Sequence, residues 1–359
     1  MPADDEPKPA LSPERVILRR GRRRRRLGYL AIAIATAIIA TELFTRFYLG
    51  LTDPPLMMAD PELEYVNQPN QTCRMFRHLI HYNAYSMRSD DFPQHKTSPD
   101  ELRVMFIGDS IINGGTQTDQ SELATSILQR ELTGQLKRPV VVGNISTGGW
   151  GPPNELAYVK RFGLFDADVV VIVISSHDYN DVPTFDGLVG ISKEMPTSKP
   201  LSGAAQLWSR YVWPRIQDRW AKSVATHTAD GTPTALAPVK PEDVAACTEA
   251  LKQMIRFAHE RGARVIVAQY LEPHEVNAAH PDPDPGHDVL LAAATQASAD
   301  QIVQLGPAFA AALNNGASVF RDVTHPTAAG QRVMADVLRP ALLQAIQTAR
   351  AAPTTGPEK

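Results

Sequence analysis

The sequence predicts an α/β protein: a parallel sheet with helices on both faces, preceded by a membrane-spanning helix. Three observations lead there. From Arg103 onward, short apolar runs alternate with segments of helical period. One of those runs, Val169 to Ile174, is β-branched throughout, as a strand buried on both faces requires. Near the N-terminus, a dense arginine cluster stands directly before a long apolar stretch.

Length and composition bound the rest. With 359 residues the chain can hold one large α/β domain plus something smaller. Lys+Arg 36 against Asp+Glu 39 gives a formal net charge of -3, so the whole molecule lacks the basic balance of a nucleic-acid binder. Two cysteines, Cys73 and Cys247, are too few for a disulfide framework or a familiar zinc spacing, and two separate buried thiols are expected. No glycine-rich phosphate cradle follows any strand, which argues against a nucleotide cofactor.

Taken in order, residues 1–26 read as a cytoplasmic tail, disordered at first and ending in Arg19, Arg20 and Arg22 to Arg26. Leu27 to Ala40 is apolar, and Leu43, Phe44, Phe47, Tyr48, Leu49 and Leu51 extend it into an anchor over 27–51. Glu42 and Arg46 interrupt the run, but their spacing lets them pair on one helix face. Phe47 and Tyr48 fall where interfacial aromatics belong. A cleaved signal peptide also has a basic start and a short apolar core; the lack of a small-residue cleavage site before Glu42 favours a retained anchor. Either way the arginines stay on the cytoplasmic side. The expectation is a single-pass inner-membrane protein with a periplasmic domain.

Residues 52–100 are polar, rich in Pro and Asn, and predict irregular structure with at most an edge hairpin; Arg88 reads there as a structural salt-bridge partner. The main domain is expected over 101–348. Its first strand is Val104 to Ile107, followed by a helix from about Ser121 to Leu132 with Leu123, Ile127, Leu128 and Leu132 on one face. Val140 to Val142 makes a second strand and Asn154 to Phe162 a short helix, before the central strand Val169 to Ile174. Residues 183–241 break the rhythm and read as an insertion at the sheet rim, with Trp208, Trp213 and Trp220 in a helix from Ala204 to about Val224. A long helix from Glu242 to Arg261 is closed by Gly262, and Arg264 to Ala268 is the next strand. His274 to His287 reads as a polar loop and Val319-Phe320 as a short last strand. His325-Pro326 opens the final helix, with Pro in its first turn, and 349–359 is a disordered tail.

Gly108-Asp109-Ser110 ends the first strand, the place where a parallel sheet puts its ligands. Cleaving an acyl ester takes a nucleophile, a base, a group that orients the base, and donors for the oxyanion. Ser110 can be the nucleophile and His325 the base. Asp322, three residues before His325, can reach its Nδ1 across one tight turn and hold the tautomer. Gly148-Gly149 leaves backbone N–H groups unobstructed by side chains.

With Gly108-Asp109-Ser110, Asn144 to Gly149, Ser175 to Asp181 and Asp322 to His325 together, the sequence resembles the SGNH (GDSL-type) hydrolase superfamily over about residues 100 to 345. The resemblance implies a three-layer α/β/α sandwich of flavodoxin-like type and a serine hydrolase acting without metal or other cofactor. In that family one oxyanion glycine falls five residues after the asparagine ending strand two, which assigns the role to Gly149, with the Ser110 N–H beside it. The third block departs from the family's Gly-x-Asn-Asp: Ser175 stands at the Gly place, His177 at the Asn place and Asp178 at the Asp. His177 is therefore the expected third donor, with Asn180 the alternative if the turn is longer. The implied activity is removal of O-acyl groups, acetyl foremost, from a carbohydrate or lipid ester outside the cytoplasm. Two alternatives stay open: a polysaccharide O-acyltransferase using the same triad, and a non-catalytic envelope binding protein that keeps the fold. An α/β-hydrolase is disfavoured because Ser110 lacks a Gly-x-Ser-x-Gly elbow. A metal site built on His274, His280 and His287 lacks any ligand-pair spacing.

Overall fold

The chain begins with a long helix, α1 (Pro13–Leu43), continued by a π-helical turn over Phe44–Tyr48. The computed structural model describes residues 13–217, 239–276 and 284–351; Trp220, the end of the expected insertion helix, His280 and both terminal tails lie outside the described residues. Within α1 and its continuation, Arg24–Tyr48 is long and apolar enough to cross a membrane, and none of its apolar window is covered by the rest of the protein. At 1.5 Å per residue its 25 residues reach about 37 Å, against a hydrocarbon core of about 30 Å. By length and composition it is a membrane span or a signal sequence. Arg46 pairs with Glu42 at 2.9 Å, as their spacing predicts.

The segment expected to be irregular holds two antiparallel hairpins: β1 (Met57–Asp60) with β2 (Glu64–Asn67), and β3 (Gln71–Met75) with β4 (His78–Tyr82). The second turns tightly on Phe76 and Arg77, both at positive φ, where a glycine or asparagine would be easier. Beyond the hairpins, the extension lies along one edge of the main sheet. Arg88 N–H donates to the Asn144 carbonyl and Asn144 N–H to Ser89 Oγ, so that edge does not stay open.

The main sheet has five parallel strands: β5 (Leu102–Gly108), β6 (Val140–Ser146), β7 (Val169–Ile174), β8 (Arg264–Gln269) and β9 (Gln301–Gln304), in the order β6-β5-β7-β8-β9. Chain direction across the sheet reverses around β5, so its C-terminal end lies at the topological switch point. Every residue of β5 and β7 is buried. Burial of a Val or Ile side chain contributes roughly 1.5–3 kcal/mol, which is why these two strands anchor the domain. One face packs Met105, Ile107, Val170 and Ile172 against the helices α4 (Pro152–Phe162), α6 (Pro241–His259) and α8 (Gly286–Gln296). The other packs Val104, Phe106, Val171 and Ile266 against α3 (Ala124–Leu136), α9 (Gly306–Asn314) and α10 (Ala328–Ala351). This is the three-layer α/β/α arrangement that the resemblance implied. Single helical turns, α2 (Ser110–Asn113) and α7 (Pro273–Val276), follow β5 and β8. Within the insertion, α5 (Gly203–Gln206) continues as a π-helical stretch over Leu207–Val212 and then as helix to 217.

Three further expectations are corrected. The last strand is Gln301–Gln304, not Val319-Phe320: Phe320 makes only an isolated antiparallel bridge to Pro326. Pro326 is engaged in that bridge and so precedes the final helix, which starts at Ala328. The stretch taken for one loop after β8 contains the turn α7 and runs into α8, whose Gly286 packs so closely on Ser176 that an added Cβ would lie 1.8 Å from its carbonyl oxygen.

Candidate active site

Ser110 begins α2 where β5 ends. Asp109 caps that turn, its Oδ1 accepting from Ile111 N–H at 2.9 Å. As the first helical residue, Ser110 has no acceptor for its own N–H within the turn. Its Oγ lies 3.0 Å from His325 Nε2, across 215 residues of sequence. His325 Nδ1 lies 3.0 Å from each carboxylate oxygen of Asp322.

The Asp322-to-His325 loop braces itself: Asp322 Oδ1 accepts the backbone N–H of His325 at 2.7 Å and of Thr324 at 2.9 Å. Partial burial opposes charge on Asp322, but those backbone hydrogen bonds and the His325 side chain outweigh it and hold the carboxyl at about 2. The loop is tied to its neighbours as well. Tyr270, directly after β8, donates its hydroxyl to the Thr324 carbonyl at 2.7 Å, and Arg321 donates to the Gly114 carbonyl at 3.1 Å.

After β6 the chain turns through Gly148 and Gly149. Gly149 has φ +77°, and a Cβ there would lie 2.6 Å from the Tyr65 hydroxyl, so glycine is required on both counts. Tyr65 donates to the carbonyls of Gly149 (2.9 Å) and Gly148 (3.2 Å), fixing the turn from the β1–β2 hairpin. A Cβ on Gly148 would be 3.7 Å from Ser110 Cβ, so the turn passes beside the serine in van der Waals contact. Ser110, Gly148, Gly149 and His325 share one cleft of about 560 Å³, with Arg210 and Tyr211 of the insertion on its wall.

His177 is arranged differently from expectation. Its Nδ1 lies 2.7 Å from Glu272 Oε1 and its Nε2 3.2 Å from Asp109 Oδ2, with Asp178 Oδ1 at 3.7 Å. Both ring nitrogens thus face carboxylates, and the ring does not line the cleft that Ser110 and His325 share. Burial disfavours the charged ring, yet the hydrogen bond to Asp109 and the charges of Asp178 and Glu272 override it and push His177 up to about 12. The surrounding carboxylates thus favour the charged ring. Asn180 ends the turn that carries His177 and does not line the cleft either. Around this cation, burial raises the carboxyls of Asp178 and Glu155, and Asp181 rises to about 6 for the same reason.

Sequence reasoning missed several of these contributors. Glu272 carries no signal beyond its position after β8. Tyr65 sits in a segment expected to be irregular. Arg88 is completely buried but makes no salt bridge among the described residues: its guanidinium donates to Gln120 Oε1 (2.9 Å) and to the carbonyls of Asn113 (3.2 Å) and Thr118 (2.8 Å). It therefore holds the loop after Ser110 by backbone oxygens. Of the histidines weighed as metal ligands, His274 lies 3.3 Å from Asp284 and 3.7 Å from Glu272, while His287 is 3.9 Å from Asp288. These contacts are histidine–carboxylate pairs.

Residues 106–333 match the model of the GDSL-like lipase/acylhydrolase family. No curated protein matches the sequence. Among solved structures, an alpha/beta hydrolase enzyme from the metagenome of Lake Arreo, Spain, is 16% identical, with 72% of this chain and 99% of that chain covered, at a TM-score of 0.41. A lipase/acylhydrolase from Enterococcus faecalis is 13% identical, with 71% of this chain and 100% of that chain covered, at 0.41. A variant of an acetyl xylan esterase from Geobacillus stearothermophilus is 15% identical, with 71% and 97% covered, at 0.39.

Proposed function

This chain belongs to the GDSL-like lipase/acylhydrolase family and is an ester hydrolase, and from that premise we propose a serine esterase held in the inner membrane by α1. Its cleft lies on the periplasmic side and removes O-acyl groups, acetyl foremost, from a carbohydrate or lipid ester. The observation that carries the reading is the unbroken relay Ser110 Oγ–His325 Nε2 (3.0 Å) and His325 Nδ1–Asp322 (3.0 Å) at the switch point of the sheet.

In this mechanism Ser110 Oγ attacks the acyl carbon while His325 Nε2 takes its proton. Asp322 holds the Nδ1–H tautomer and stabilises the imidazolium that forms. The N–H groups of Ser110 and Gly149 receive the oxyanion. Collapse of the tetrahedral intermediate breaks the ester C–O bond, and His325 returns the proton to the leaving alcohol. Water then attacks the acyl-serine with His325 again as base; the acyl–Oγ bond breaks, His325 returns the proton to Ser110 Oγ, and the carboxylic acid leaves. His177 acts as a fixed cation that steadies Asp109, the cap of the Ser110 turn, and donates nothing to the oxyanion.

The test is covalent labelling of the full chain with a fluorophosphonate probe, run beside hydrolysis of short-chain p-nitrophenyl esters. Labelling and turnover are expected for the native chain, and both are lost in Ser110→Ala. Labelling that persists in Ser110→Ala, or turnover that survives the substitution, overturns the assignment.

A further inference from the structure

Between the main domain and α1 lies a second apolar surface. Leu201 is 92% exposed, and Trp208 and Trp213 are 55% and 44% exposed. The two indole rings lie 6.2 Å apart. Their meeting follows from the π-helical stretch between them: the Trp213 N–H bonds the Trp208 carbonyl five residues back, which sets residue 213 over residue 208.

This surface is fastened to the end of α1. Glu42 accepts from Ser202 Oγ (2.8 Å), Gly203 N–H (3.1 Å) and Ala204 N–H (3.0 Å), capping α5 with a side chain from 160 residues away. Arg46, paired with Glu42, donates to the Leu201 carbonyl. A Cβ on Gly203 would fall 2.5 Å from Thr45 Oγ1, so the two backbones meet where only glycine fits. Ala204 also borders a groove along α1 formed by Ile34, Ala37, Ile38 and Thr41. At 1.5 Å per residue, Trp208 and Trp213 stand only about 6 Å and 14 Å along the helix from Ala204. At the same end of α1, Phe44, Phe47 and Tyr48 are more than half exposed, with Phe44 stacked on Tyr48. Two segments distant in sequence thus present one girdle of aromatic and aliphatic side chains where α1 ends.

We propose that residues 201–213 are an interfacial membrane segment, seated in the headgroup region of the bilayer that α1 crosses. The proposal rests on the reading of α1 as a membrane span. Tryptophan is the residue suited to that depth, its ring apolar and its N–H wet. The opposite side of the same segment faces the site: Arg210 and Tyr211 line the cleft with Ser110 and His325, and Tyr211 packs edge-on against Phe76 of the second hairpin. One stretch of helix therefore touches lipid on one side and forms the cleft wall on the other. It holds the cleft mouth at the bilayer surface, where an ester in or beside the membrane can reach Ser110.

The test uses the full chain in phosphatidylcholine nanodiscs, carrying one introduced cysteine with an environment-sensitive fluorophore. Cys73 and Cys247 are buried, and burial pushes both thiols up to about 12, so the introduced thiol reacts selectively. Labels go at Trp208→Cys, at Leu201→Cys as a milder second position, at Ile38→Cys within α1, and at Gln135→Cys, exposed in the last turn of α3. Shallow doxyl-lipids should quench labels at 208 and 201 more strongly than deep ones do, quench the label at 38 in deep lipid, and leave the label at 135 bright. Quenching at 38 with labels at 208 and 201 as bright as at 135 overturns the interfacial proposal and leaves the anchor standing. No quenching at 38 overturns the anchor, and the proposal with it.

Discussion

Replacing Asp322 by Asn isolates the orienting group while keeping its shape. Asp322 Oδ1 accepts two backbone N–H groups, from Thr324 and His325, at 2.9 and 2.7 Å. An asparagine must keep its carbonyl oxygen there, since the flipped amide would set its NH₂ against both donors. Arg321 Nε, 3.4 Å from Oδ2, slightly favours the flip but offers one weak contact against two good ones. The Asn NH₂ therefore occupies the Oδ2 position, 3.0 Å from His325 Nδ1. The Asn carbonyl oxygen, also 3.0 Å from Nδ1, can still accept the ring proton. The NH₂ offers Nδ1 a donor as well, however, so the ring is no longer held to the one tautomer whose Nε2 lone pair faces Ser110.

The lost charge adds to the loosened tautomer. A carboxylate about 4 Å from the imidazolium centre is worth about 4 kcal/mol at an effective dielectric of about 20. At about 1.4 kcal/mol per decade that is roughly a thousandfold in rate. Asp322 is 44% exposed on its side chain, which weakens the charge effect, while the loosened tautomer works in the other direction. The expected result is a fall in kcat of about 10³ for p-nitrophenyl acetate, with KM little changed. The activity that remains should rise with pH, as hydroxide replaces the missing base. Asp322→Asn within tenfold of the native kcat, alongside an inactive Ser110→Ala, refutes the orienting role of Asp322.

Two further outcomes follow from the same geometry. Gly149→Ala forces a side chain into a position with φ +77° and 2.6 Å from the Tyr65 hydroxyl, displacing the proposed oxyanion N–H; kcat should fall about 10²–10³ in steady-state kinetics, and an unchanged kcat removes Gly149 from the oxyanion site. Asp181→Asn should stabilise the protein at high pH and not at low pH. With its folded value raised from 3.8 to about 6 by burial, Asp181 adds stability while protonated and withdraws it as the pH rises through about 6. Because Asp181 is only partly buried, the gain at pH 8 is about 1–2 kcal/mol after solvent screening, vanishing below about pH 4. Thermal unfolding of both chains in detergent across that range checks the sign.

What the sequence disclosed and what it hid divide along physical lines. The strands β5, β7 and β8 were legible because continuous β-branched and aliphatic runs have no other home than a sheet buried on both faces. The edge strand Gln301–Gln304 was not, since its apolar run is only Ile302-Val303 between two glutamines and stays partly exposed. The β3–β4 hairpin was hidden by its turn, because Phe76 and Arg77 take positive φ without the Asn-Gly signal. Pro326 resembled a helix start, but its bridge to Phe320 delays the helix to Ala328. Ser110, Asp322 and His325 were legible as short motifs because each sits at a strand end or turn that fixes its direction. Residues that act across the fold, such as Tyr65 on Gly149 or Glu42 on Ala204, leave no trace in local spacing.

The third block shows the same limit in its sharpest form. Reading His177 as a stand-in for an asparagine donor assumes that a single position can change alone. A partly buried ring set among carboxylates cannot: the hydration its charged form loses must be offset by carboxylates in contact. Here those are Asp109, Asp178 and Glu272, the last of them 95 residues further on. Once that set assembles, both imidazole nitrogens are committed and the ring is no longer available to an oxyanion. The charge instead reaches the proposed nucleophile indirectly. Asp109 uses one oxygen to cap the Ser110 turn and the other to meet His177, so the cation fixes the backbone from which Ser110 and its N–H project. With His177 so committed, the proposed oxyanion site rests on two backbone donors, Ser110 and Gly149, which makes Gly149→Ala its direct test.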